Sequence, residues 1–321
     1  MVDLQLAKPV TLQEEEEQRH LEKIWRELGP LIHRELEQGN IHEILYNADE
    51  SLWVDRPVTG MEKIGTLPAS KAEALISSVV SYHRQSIHRD CPKFEGELPI
   101  NGARFTAALK PIVSSPIFSI RLKASTVFTL ADYVQAGIMT NDQKAVIEAA
   151  VLAQKNILVV GGTGTGKTTL ANGLIEEIVR VTPHHRLVII EDTAEIQCTA
   201  KNAVLLHTTS TVDMLSLLKT TMRLRPDRIL VGEVRGPEAL ALLKAWNTGH
   251  PGGVATVHAN HARAGLTRLE QLIAEATPAP MQTLIGEAVD LIVSIVKTST
   301  GRKIEEIVSV NGFREGGYLF S

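Results

Sequence analysis

Cysteine is nearly absent: Cys91 and Cys198 are the only two among 321 residues. They form no C-x-x-C pair and cannot build a four-cysteine zinc element. The expectation is two free thiols in a reducing compartment. Aromatic residues are also few, at 4%, which leaves little material for base-stacking surfaces. A basic excess is missing, because 33 lysines and arginines face 37 acids and the net charge is −4. Composition therefore argues against strong direct nucleic-acid binding and leaves only a local basic patch open. Long apolar runs are absent as well. The longest late one, LIVSIV at 291–296, is far short of the about 20 residues that span a bilayer. The opening stretch MVDLQLAKPVTLQEEEE has no continuous apolar core and does not read as a secretory signal. Any membrane contact is expected to be peripheral.

What is present is ordinary for a globular chain, with 44% hydrophobic and 22% charged residues and length enough for two domains. Residues 1–12 read as a loose arm. From Glu14 a helix is predicted, with Leu21, Ile24, Trp25 and Leu28 at helical spacing. Alternating stretches at 41–65 and 102–123 predict strands, and 69–86 predicts a helix. Residues 1–125 thus read as a smaller N-terminal α+β domain, and 126–143 as a linker leading into a second domain at 144–321. There the short apolar runs NILVV, RLVII, RILVG and GVATV alternate with helical segments. That is the pattern of an α/β domain with a parallel sheet.

The strongest motif follows the first of these strands. Gly161, Gly162, Thr163, Gly164, Thr165, Gly166, Lys167 and Thr168, with Thr169 behind them, fit G-x-x-x-x-G-K-S/T between a strand and a helix. The glycines let successive N–H groups turn toward phosphates. The starting helix adds the positive end of its dipole. Lys167 suits the β- and γ-phosphates, and the Thr168 hydroxyl suits Mg²⁺. No guanine-reading N-K-x-D stretch follows, so ATP is the expected nucleotide.

Hydrolysis also needs acids for Mg²⁺ and for the attacking water. Glu191 and Asp192 end the strand RLVII, with Glu195 beyond, and Glu233 ends RILVG. Ligands of open α/β sheets sit at the carboxyl ends of strands, so both glutamates are candidates to face the loop. The stretch TGHPGGVATVHANH (248–261) puts His250 before a strand and His258 at its end. Two histidines eight apart, with no Cys or carboxylate between them, make a poor metal pair. His258 is therefore preferred as the phosphate-facing residue. His250 is given a supporting role.

These four motifs, in this order and spacing, resemble the secretion ATPase superfamily. FTLADYVQAGIMTNDQ, GLTRLEQLI and GRKIEEIVSVNGF are similar to the branch serving type IV secretion and plasmid conjugation. The resemblance implies a RecA-like P-loop NTPase domain at the C-terminal side, a homo-oligomeric and hexameric ring, and ATP hydrolysis with Mg²⁺. It implies inner-membrane channel proteins as partners and a cytoplasmic protein held peripherally at that membrane. It carries over nucleotide roles to Lys167, Thr168, Glu191, Glu233, His250 and His258. It also implies that Arg225, Arg104 and Arg121 lie near the γ-phosphate. The residues alone give Arg104 and Arg121 only the reading of surface charges. The "VGE" of this chain lacks the usual aspartate before Glu233, which leaves open whether Glu191 or Glu233 is the base.

Overall fold

The computed structural model describes residues 12–56, 59–122, 127–209, 211–299 and 301–321. The loose arm read at the start of the chain lies almost wholly outside them. Two compact units divide the chain, residues 1–125 and 126–321. Among the described residues no helix is long and apolar enough to cross a membrane.

The first unit is a six-stranded antiparallel sheet covered by two helices. The helix α1 (Leu12–Gln38) kinks where Gly29 takes φ 74° ahead of Pro30. Pro30 removes an N–H donor and crowds the preceding turn. The strands are β1 (Glu43–Tyr46), β2 (Ser51–Arg56), β3 (Gly60–Thr66), β4 (Lys93–Leu98), β5 (Ala103–Ala108) and β6 (Ile117–Arg121), in the order β3-β2-β1-β6-β5-β4. The helix α2 (Ala69–Tyr82) brings Leu75, Ile76 and Val79 onto the same core as Ile24, Leu28 and Ile32 of α1. Alternate residues Ile44, Tyr46, Phe105 and Ile120 meet them from the sheet.

The second unit holds an eight-stranded sheet in the order β14-β13-β12-β7-β11-β10-β8-β9. β7 (Ile157–Gly161), β8 (Leu187–Glu191), β9 (Ala203–His207), β10 (Arg228–Val231), β11 (Val254–His258) and β12 (Leu291–Thr298) are parallel neighbours. β13 (Gly301–Arg314) and β14 (Gly317–Phe320) finish the sheet antiparallel. β7, β8 and β10 are buried along their whole length. Their unbroken apolar sequence follows from cover on both faces. Leu158, Val160, Ile229 and Val231 point to one core, with α6 (Met214–Thr221), α7 (Glu238–Asn247), α8 (Ala262–Ala274) and α9 (Gln282–Ala288). Ile157, Val159 and Leu230 point to the other, with α3 (Leu130–Gln135), α4 (Asn141–Leu152) and α5 (Lys167–Val181).

The described part of the predicted linker, residues 127–143, is packed against the core of the second unit. Leu130, Tyr133 and Met139 are buried in the core under β7. Each of the two short helices there starts on a capping box, Thr129 with Asp132 and Thr140 with Gln143. Such boxes satisfy the free N–H groups of a helix start from both sides.

One packing contact pins the turn before β11. The Trp246 indole N–H donates to Ile229 O at 3.1 Å and lies directly against Gly253. A methyl group there would collide with the indole and with the Ile229 carbonyl. Gly253→Ala is expected to lower stability by about 2–3 kcal/mol through overpacking. The midpoint of urea unfolding measures this.

Candidate nucleotide site

The loop after β7 is shaped by two close approaches. Gly161 packs against the Ile295 carbonyl of β12 and the Thr165 hydroxyl, with no room for a Cβ. Gly164 and Gly166 take φ 71° and 98°, a left-handed region that favours glycine. Thr165 Oγ1 donates to Gly162 O at 3.0 Å and ties the loop across itself. Thr163 and Gly164 are exposed at the tip, and Thr168 and Thr169 are half-buried in the first turn of α5. Gly166 is the N-cap of α5, so the helix's first N–H groups face the loop.

Lys167 is 8% exposed. Its ammonium donates to Gly162 O at 3.0 Å and lies 3.2 Å from Nδ1 and 3.3 Å from Nε2 of His258. The register explains the meeting, because His258 pairs with Gly161 across β11 and β7. Glu233 Oε1 lies 2.6 Å from His258 Nε2, a close contact without hydrogen-bond alignment. Burial holds the His258 imidazole below its ordinary value. Lys167, Arg235 and Arg268 push the same way, while Glu233 opposes them. A neutral imidazole is what lets a ring nitrogen accept from Lys167.

Arg235, which the motif reading did not single out, binds both acid groups. Its Nε donates to Glu233 Oε2 at 2.7 Å, and its Nη1 donates to Asp192 Oδ2 at 3.3 Å. Spacing carried the signal: residues two apart on extended backbone share a face, and Arg235 stands two after Glu233. Glu191 is 3% exposed, and its Oε1 accepts from the N–H groups of Glu195 at 3.0 Å and Ile196 at 2.8 Å. Its Oε2 and Glu233 Oε1 are buried oxygens with no hydrogen bond. His207, at the end of β9, stands 3.7 Å from Glu191 Oε2. No signal in the sequence singles it out. Lys167, His258, Glu233, Arg235 and Asp192 thus form one chain of contacts at the carboxyl edge of the sheet, with Glu191 beside Gly232 on the neighbouring strand end.

Two predicted site residues do not join it within the chain. Arg225 is exposed and precedes β10, and His250 precedes β11 with Nδ1 at 3.0 Å from Pro226 O. Both lie at the amino edge, across strands that span roughly 15 Å. For His250 the sequence already gives that place before the strand; for Arg225 the resemblance carries the residue type but not the strand end. Arg104 and Arg121 belong to the first unit. They face each other directly, as register partners on β5 and β6. Arg104 has Glu95 at 3.8 Å. Each also has a glutamate directly opposite on its other side, Glu97 of β4 for Arg104 and Glu43 of β1 for Arg121.

A glycine loop between a buried strand and a helix, with acids on neighbouring strand ends, defines a RecA-like P-loop unit. Comparison with known proteins narrows the class. The profile of the family described as "Type II/IV secretion system protein" matches residues 68–310. TrbB of Sinorhizobium fredii, a "probable conjugal transfer protein", is 51% identical over 300 residues, covering 94% of this chain and 92% of that one. The conjugal transfer protein TrbB of Rhizobium radiobacter is also 51% identical over 300 residues, covering 94% and 93%. The X-ray structure of the Legionella pneumophila ATPase DotB shares the fold, at 20% identity and TM-score 0.61 over 96% of this chain and 84% of that one. The chain belongs to the type II/IV secretion system protein family.

Gly161→Ala is expected to break the Thr165 tie and push β12 away from the loop. The variant should lose about 1–3 kcal/mol of stability and bind nucleotide at least tenfold more weakly. Chemical unfolding and titration calorimetry read the two effects.

Proposed function

We propose that this protein is an ATP-hydrolysing motor, working as a hexameric ring at the inner membrane to drive assembly of, or transfer through, a conjugative type IV secretion channel. The observation that carries the reading is the contact chain Lys167–His258–Glu233 beside a complete phosphate loop. The names of the relatives at 51% identity support the conjugative setting. A type II secretion or pilus motor is the weaker reading, since two cysteines cannot form a four-cysteine zinc element.

ATP is the substrate. The loop N–H groups receive its phosphates, and Lys167 exchanges Gly162 O and His258 for the β- and γ-phosphate oxygens. Thr168, Glu191 and Glu233 offer hard oxygen donors of the kind Mg²⁺ takes, and two of their carboxylate oxygens lie buried without a hydrogen bond. When bound, that ion neutralises charge developing on the phosphates. Of the two glutamates, one serves the ion and the other orients water for in-line attack on the γ-phosphorus. The bond to the leaving ADP oxygen breaks, and the water proton passes to the carboxylate. His258, neutral and next to Glu233, is assigned to the γ-phosphate. Arg104 and Arg121 are assigned as further anion ligands on the family resemblance alone. Arg225 and His250, at the far edge, are assigned to contacts with a neighbouring copy.

Lys167→Ala is expected to lose ATP turnover by at least a hundredfold in a phosphate-release assay. Wild-type turnover there would sink the site assignment. His258→Ala should keep ATP affinity within a few-fold while turnover falls about 10²-fold. The glutamate whose Gln variant keeps Mg²⁺ dependence but loses turnover is the base. Electron microscopy of the protein with ATP is expected to give six-fold rings, and monomers at micromolar concentration would refute the ring.

A further inference from the structure

On the β12 side of the phosphate loop stands a cation that belongs to none of the four motifs. Arg302 sits at the start of β13, paired in register with Lys297 of β12. β12 runs beside β7 on the flank opposite β11. From there the Arg302 side chain lies against the loop. A Cβ on Gly166 would meet its Cδ at 3.2 Å and its Nε at 3.3 Å. Gly166 immediately precedes Lys167, whose ammonium leaves on the other flank toward His258. Two cations therefore straddle the loop, one on each side.

What sets Arg302 apart from other surface arginines is its packing on Gly166. It is exposed, and among the described residues no carboxylate pairs with it. Its electrostatic neighbour is the buried phenol of Tyr133. An arginine whose stem packs on a phosphate-loop glycine, and which has no acid of its own, is arranged for an anion the chain does not supply. Direction follows from the sheet order. Glu191, Glu233 and His258 all lie on the β11–β10–β8 flank. A bound triphosphate turns its γ end to those groups, so its α-phosphate end falls on the β12 flank.

We propose that Arg302 is a nucleotide-binding residue that holds the α-phosphate end of the phosphate chain. The proposal rests on the nucleotide reading of the loop given above. Arg302→Gln keeps the stem over Gly166 and removes the charge. Titration calorimetry on the full chain with MgATP and with MgADP is the test. Both nucleotides are expected to bind about tenfold more weakly, and to similar extents, because both carry the α-phosphate. The KM for ATP should rise more than kcat falls, and Arg302→Lys should recover part of the loss. ATP weakened with ADP unchanged would assign Arg302 to the γ end and overturn the proposal. Wild-type affinities in Arg302→Gln, with weakening only in Arg302→Ala, would reduce it to packing and also overturn it. Lys167→Ala runs alongside. If it binds ATP like the wild type, the nucleotide reading itself fails. If it loses binding while Arg302→Gln does not, only the role of Arg302 fails.

Discussion

A parallel register sets His258 opposite Gly161, and the chemistry of the second unit depends on that pairing. Gly161 is the last residue of its strand and the first of the phosphate loop. Its partner strand must end in a side chain that reaches the loop's lysine. A slip of one residue would turn His258 to the other face of the sheet and carry it away from Lys167. The same logic runs outward. Val231 pairs with Ile190 and with Ala255, so Glu233 and Glu191 emerge from neighbouring strand ends. The register is held by cores on both sheet faces, where Val159 and Val160 point in opposite directions into different helix layers.

The amino edge of the sheet is held differently. Arg228 is fully buried at the start of β10. Its guanidinium donates to Gly252 O at 3.0 Å, Val151 O at 3.3 Å and His185 Nδ1 at 3.2 Å. Burial pushes its pKa down, and the carbonyls take up its donors in place of a carboxylate. Because those acceptors come from the end of α4 and the turn before β11, one side chain ties together the starts of two strands and the end of a helix. The carboxyl edge is thereby left for titratable groups, while the opposite edge is stitched.

The sheet and the loop were legible in the sequence for physical reasons. A strand covered on both faces writes itself as an unbroken apolar run, and a phosphate loop needs glycines at positions few other residues tolerate. Strand β9 was not legible, because it lies at the sheet edge, two of its five side chains are exposed and none is fully buried. The linker reading of 126–143 passes over α3 and the start of α4, although Thr129-x-x-Asp132 and Thr140-x-x-Gln143 are helix-start signals. Motif membership draws Arg225 toward the phosphates, whereas His250 reads from the sequence itself as lying before its strand, in a supporting role. Their place before rather than after a strand puts them at the other edge. Arg235 was within reach of the two-residue period. Arg302 was not, since only the hairpin's return over the loop brings it near Gly166.

That return has a consequence for how the protein comes into being. The wall of the phosphate loop is the Ile295 carbonyl, and Arg302 leans on its last glycine. Both arrive long after Gly161 and Gly166 in the chain. Closing such a contact carries the entropy of a long loop. During synthesis the glycine loop is made early and stays unwalled until β12 and β13 follow. A complete wall for the nucleotide loop thus requires that β12 and β13 have been synthesised.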